Sequence, residues 1–257
     1  MADTLSRYNA AAWDKKVAQG WEWTIPEPPE KIAAAKAGRF EIYLTPSKPV
    51  PADWTGNVKG KKILGLACGG GQQCPLLAAA GGIVTVFDNS PAQLAQDEKV
   101  AARDNLSMTF VQGDMRDLSC FEDGVFDLIV HPVSNTYVDD PRPVWKEAYR
   151  VLKTGGVLIS GMTNPLIYLF DNIKGDHKTL TYKLPYSDKD SLPEDELKRL
   201  IDNHDPLEFS HTLETQIGGQ TAAGFAIVGF FEDNDPATEN AVARYCDTYF
   251  ATKAVKL

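Results

Sequence analysis

From Lys62 onward, short apolar runs alternate with stretches of helical character. The runs at 63–66, 83–87, 108–111, 126–130 and 156–160 are mostly β-branched and show no polar alternation, which predicts strands buried on both faces. Helical stretches lie between them at 74–80, 91–103 and 143–152. The second has a legible start, because Ser90 can cap, Pro91 suits the first helical position and Gln93 completes a capping box. Strand–helix repetition of this kind predicts an α/β fold with a doubly wound, mostly parallel sheet.

The flanks differ. Residues 1–56 form an irregular preface with a helix predicted near 6–19. Pro26, Pro28, Pro29, Pro46, Pro49 and Pro51 then prevent regular structure. Four of the five tryptophans (Trp13, Trp21, Trp23, Trp54) fall there, which suggests that the segment lies down on the domain or on a ligand. A polar stretch at 164–209, with one helix near 193–203, reads as an insertion. After it, 211–225 reads as helical, with His211 at its start and Thr212 near its cap. Strands predicted at 226–232 and 249–257 bring the total to seven. The domain reading is a lid over 1–56 and one domain over 57–257.

Composition narrows the function. The 257 residues are 43% hydrophobic and 24% charged, the balance of a soluble globular chain. No apolar run approaches a membrane span and the first residues do not resemble a signal peptide, so a cytoplasmic location is the default. Cys68, Cys74, Cys120 and Cys246 are scattered, which argues against a disulfide framework or a metal site. A net charge of −9 without a dense basic run argues against a nucleic-acid partner.

Four features then fall at the carboxyl ends of successive strands, where open α/β sheets bind ligands. They are Gly69-Gly70-Gly71, Asp88, Gly113-Asp114-Met115, and His131 to Asn135. Glycines allow close backbone approach, and the following helix turns its positive end toward a carboxylate or phosphate. An acid ending the second strand can accept from both hydroxyls of a ribose, and Asp114 can accept from an exocyclic amine such as adenine's. His131 precedes a proline and is therefore extended. It is a candidate general base, with a buried, hydrogen-bonded histidine as the plain reading.

With "LKTGG" before the fifth strand and the tail "AGFAIVGFFE…ATKAVK", these motifs resemble the class I S-adenosylmethionine-dependent methyltransferases over roughly 61–256. The resemblance implies a seven-stranded Rossmann-like sheet whose last strand inserts antiparallel between the fifth and sixth. It implies S-adenosylmethionine as cofactor, S-adenosylhomocysteine as product, and a cofactor site of Gly69, Gly70, Gly71, Gln73, Asp88, Asn89, Asp114, Met115 and His131. Tyr8, Trp13, Asn135 and Tyr137 are candidate acceptor contacts. No metal is implied, and a monomer or homodimer is expected. The family commonly has an acid at position 65 and a glycine at 67, where this chain has Gly65 and Ala67. Gln72, Gln73 or Tyr8 is expected to replace that acid. "HPVS" stands where many amino-directed nucleic-acid methyltransferases have "[DNS]PP[YFW]", which favours a small-molecule acceptor. Two alternatives stay open: a cofactor-binding protein without turnover, and a nicotinamide-dependent oxidoreductase, against which Cys74 stands at the third glycine position of GxGxxG.

Overall fold

The computed structural model describes residues 2–171, 176–234 and 241–257. Its strands are β1 (Lys62–Leu66), β2 (Ile83–Asp88), β3 (Met108–Gln112), β4 (Phe126–His131), β5 (Leu152–Thr163), β6 (Phe170–Asp171), β7 (Asp176–Leu180), β8 (Phe225–Asp233) and β9 (Tyr249–Lys256). Seven of them form one sheet in the order β3-β2-β1-β4-β5-β9-β8. The β1–β2, β1–β4, β2–β3 and β4–β5 pairings are parallel, whereas β9 is antiparallel to both neighbours. The expected insertion of the last strand is therefore present.

The apolar runs feed two cores. Along β1, Ile63 packs into one and Leu64 into the other, and neither is exposed. The first core collects α2 (Pro29–Lys36), α4 (Gln73–Ala79) and α5 (Pro91–Asp104), and the second is built on α6 (Arg142–Val151). Strand β5 is longer than predicted. Phe126 faces Leu152 and Leu128 faces Val157, so the "LKTGG" residues bulge within the strand, with Gly155 at φ 78°.

The first 56 residues divide in two. Ile32, Ala35, Ile42, Leu44, Val50 and, on the short α3 (Ala52–Thr55), Trp54 belong to the first core. The α1 helix (Ala2–Gln19) instead lies across the carboxyl ends of the strands. Its Asp14 Oδ1 accepts from Ser90 Oγ (2.6 Å) and from Ala92 N (3.0 Å), which caps α5 from outside. Asn9, fully buried, donates to Tyr137 O and Leu207 O and accepts from Leu207 N, joining α1 to the insertion. The insertion contains the β6–β7 hairpin and the helices α7 (Asp188–Ser191) and α8 (Glu194–Asp202). Ile167, Tyr168, Tyr186 and Leu192 form a small separate core there, completed by Val242 from the segment between β8 and β9. The stretch predicted as a helix at 211–225 is a π-helical turn, Glu214–Gly218, running into the short α9 (Gly219–Ala223).

Candidate active site

The strand order reverses between β1 and β4, and a cavity of about 410 Å³ opens there at their carboxyl ends. Gly69, Gln73, Asp88, Asn89, Asp114 and Met115 line it on the side of β1 to β3. Trp13, Trp21 and Tyr137 line it beneath α1 and the segment that follows. The Trp13 ring meets Tyr137 edge-on at 5.2 Å and Trp21 at 5.4 Å.

Of the three glycines, Gly69 reaches the cavity, while Gly70 and Gly71 face other parts of the protein. A Cβ on Gly70 would stand 2.9 Å from Trp23 O, and one on Gly71 would stand 3.0 Å from both Gln96 O and Pro26 Cβ. Both have positive φ, 111° and 76°. These two glycines make room for residues 22–27, which Gln72 Nε2 also ties down through Glu22 O and Ile25 O. Gln72 is therefore committed to the lid. Gln73 Oε1 accepts from Tyr43 N (2.9 Å), which orients its amide at the cavity wall.

Position 65 has a steric explanation. A Cβ on Gly65 would lie 2.1 Å from Cys74 Sγ and 3.3 Å from Cys68 Cβ. The volume in which an acid was expected holds sulfur. Ala67 takes the neighbouring left-handed conformation at φ 46°, held by a bond from its N–H to Phe87 O. A glycine would adopt that φ without strain.

Three carboxylates organise the site. Asp88 Oδ2 accepts from Gly69 N and Oδ1 from Ser90 N, both at 2.9 Å, so the expected capping box is only half made. Ser90 Oγ accepts from Gln93 N, but Ser90 N turns to Asp88. Burial pushes the Asp88 carboxyl up, against the pull of those amides. Asp114 is gripped by Arg116 at 2.6 Å and held below its usual range despite partial burial; Arg116 also reaches Asp139 at 2.7 Å. Asp97, unpredicted, lies under the glycine loop and accepts from Gly71 N at 3.0 Å, while its buried Oδ1 has no partner among the described residues. The signal for it was a carboxylate at the helical spacing of Leu94 and Val100, inside an apolar stripe.

Burial raises the Asp97 carboxyl well above its ordinary value. A raised folded-state pKa means that stability is full where both states hold the proton. It declines as pH rises past the unfolded value of about 3.9. Asp97→Asn keeps an acceptor for Gly71 N and removes the charge. Urea unfolding should show wild type losing stability relative to the variant from pH 5 to 8; parallel profiles would refute this.

Besides Gly70 and Gly71, three more of the predicted residues are not brought to the cavity. His131 is fully buried, with Nδ1 2.8 Å from Leu66 O and Nε2 3.0 Å from the Asn135 amide. Burial lowers its pKa and keeps the ring neutral, so a single ring N–H remains, and it donates to Leu66 O. Nε2 then accepts. The Asn135 Nδ2, otherwise buried without a partner among the described residues, is its donor once the amide is turned. Both nitrogens are used, so the expected general base and cofactor contact is corrected to a structural link between β1 and β4, and Asn135 to its partner. Tyr8 donates to Asp205 O at 2.9 Å and is spent on the insertion.

Known proteins resolve the family. A methyltransferase domain model matches residues 64–160. The chain is 50% identical over 257 residues to "Uncharacterized methyltransferase YbaJ" of Bacillus subtilis, covering 99% of this chain and all of that one. This chain is a class I S-adenosylmethionine-dependent methyltransferase. The fold agrees with an S-adenosylmethionine-dependent methyltransferase of Mesorhizobium loti at TM-score 0.58 and 20% identity, over 79% of this chain and 94% of that one. The ubiquinone biosynthesis O-methyltransferase of Pseudomonas syringae pv. tomato is 32% identical over 127 residues, 48% of this methyltransferase and 55% of that one. Among the described residues, no helix is long and apolar enough to cross a membrane, and no cluster of His, Cys, Asp and Glu suits a metal.

Proposed function

We propose that this methyltransferase acts on a small molecule, inside a chamber closed by α1 and the insertion. The observation that carries the reading is the double closure. Asn9 bonds both to the residues after β4 and to the end of the insertion, and the partly covered cavity of about 410 Å³ suits a small-molecule site. A second cavity of about 280 Å³ shares Trp21, Tyr137, Tyr168 and Glu208 with the first.

The residues present fit the cofactor. Asp88 would accept from the ribose hydroxyls, and Asp114, oriented by Arg116 through both carboxylate oxygens, from the adenine amine. Gly69 and the oriented amide of Gln73 would meet the amino-acid end. Bound S-adenosylmethionine supplies an electrophilic methyl on a sulfonium. The protein aligns the acceptor behind that methyl and keeps water out, the latter through Trp13, Trp21 and Tyr137. The lid is thus α1 with the segment to about residue 27, a smaller unit than the first 56 residues.

Incubating the enzyme with methyl-labelled S-adenosylmethionine and a cell extract, then separating by ultrafiltration, tests this. The transferred label should pass the filter. Label retained on protein or RNA overturns the small-molecule reading.

A further inference from the structure

The second cavity is walled mainly by aromatic and acidic side chains, with Lys16, Leu200 and Pro206 completing it. Tyr137, Tyr168, Tyr182, Tyr186, Trp21 and Phe170 supply aromatic faces, and Asp188, Asp205 and Glu208 supply carboxylates. Tyr168 and Tyr186 stack at 5.2 Å. One ammonium already belongs to this wall: Lys16 Nζ lies 2.9 Å from Asp205 and 5.2 Å from the centre of the Trp21 ring. Lys16 accounts for Asp205. Asp188 is also spent, since Oδ1 accepts from Tyr186 OH (2.5 Å) and Oδ2 from Glu208 N (2.7 Å).

Glu208 is different. Its Oε2 accepts from Tyr168 OH at 2.9 Å, and Tyr168 is itself fixed by Thr136. Its Oε1 has no partner among the described residues, and the side chain lines both cavities. One oriented carboxylate oxygen therefore remains where the two chambers meet, among ring faces that attract cations.

Resting on the small-molecule reading above, we infer that the acceptor is a primary or secondary amine, bound as its ammonium by Glu208 Oε1 among these aromatic side chains. A hydroxyl acceptor would find the same oxygen but would use neither the ring faces nor the excess of carboxylate. Transfer balances as follows. Glu208 takes one proton from the ammonium, and the freed nitrogen lone pair forms the new C–N bond. The bond from methyl to sulfur breaks with its electron pair staying on sulfur, and the product leaves as a methylated ammonium. Burial and the neighbouring Asp188 push the Glu208 carboxyl up to about 7, so it can both give and take a proton near neutrality. Lys16 opposes that rise, as does the bond from Tyr168.

The probes are phenethylammonium chloride and 2-phenylethanol, titrated by calorimetry into the full-length protein without cofactor. The amine should bind at least tenfold more tightly. Glu208→Gln should abolish that preference while leaving affinity for S-adenosylmethionine within twofold, which reports an intact fold. Equal binding of the two probes, binding of neither at millimolar concentration, or a preference that survives in Glu208→Gln overturns amine recognition. With labelled S-adenosylmethionine, label should pass to phenethylamine, faster as pH rises through 7. Transfer to 2-phenylethanol at the same rate overturns the amine inference alone, whereas label found only on macromolecules overturns the small-molecule reading beneath it.

Discussion

Gly65→Asp, which restores the family's usual acid, is expected to deprive this protein of its cooperative fold. The Cβ alone would lie 2.1 Å from Cys74 Sγ, and both cysteines beside position 65 are buried, at 4% exposure or less. Overpacking of this kind costs about 1–3 kcal/mol, which is the loss expected for Gly65→Ala. The aspartate adds a carboxylate in a site lined by sulfur and aliphatic carbon, a burden of several further kcal/mol against a typical total stability of about 5–15. Urea unfolding should therefore show a clear midpoint for Gly65→Ala, shifted downward, and little or no folded population for Gly65→Asp. Cys74→Ala removes the colliding sulfur, so the pair Gly65→Ala/Cys74→Ala should recover part of the loss, with a coupling of roughly 0.5–3 kcal/mol. Gly65→Ala as stable as wild type would show that the sulfur moves aside freely and that the steric account is wrong.

The same position shows where reading the sequence stops. The central strands were legible because they are buried on both faces, so each reads as an uninterrupted apolar run, as in Ile63 to Leu66 or Leu128 to Val130. The edge strands β3 and β8 are only partly buried, contrary to the expectation for 108–111. The start of α5 was legible because caps are local chemistry. The cavity-facing residues Asp88 and Asp114 could be placed because strand ends fix where side chains project. What failed was non-local. Gly70 and Gly71 resemble ligand-facing glycines, yet Trp23 O, Pro26 Cβ and Gln96 O take up their space, contacts that no spacing encodes. His131 sits at a strand end like a catalytic group, but Leu66 O and the Asn135 amide occupy both ring nitrogens. Glu208 and four of the six aromatic wall residues come from an insertion without periodicity, and Trp21 and Tyr137 from two other segments, so their convergence on the cavity exists only in three dimensions.

Asp88→Asn should weaken S-adenosylmethionine binding about 100-fold, or roughly 3 kcal/mol, the worth of charge-assisted hydrogen bonds to a carboxylate. Two separate losses combine here. Both Asp88 oxygens already accept backbone N–H groups, from Gly69 and Ser90. An amide presents Nδ2 to one of those donors, so one N–H is left facing another and the glycine loop loses an anchor. The remaining oxygen carries no full charge for the ribose hydroxyls. Asp88→Ala should therefore be little worse than Asp88→Asn. The pH dependence has opposite signs for the two properties. Because burial raises the folded-state pKa, the carboxyl's contribution to stability is greatest at low pH and declines as pH rises through the unfolded value. Cofactor affinity needs the ionised form, so it should rise with pH across the raised folded value and then level off. Calorimetry of the cofactor from pH 4 to 8, beside urea unfolding over the same range, separates the two. An Asp88→Asn variant that binds S-adenosylmethionine as tightly as wild type would remove Asp88 from the cofactor site and leave it an organiser of the glycine loop.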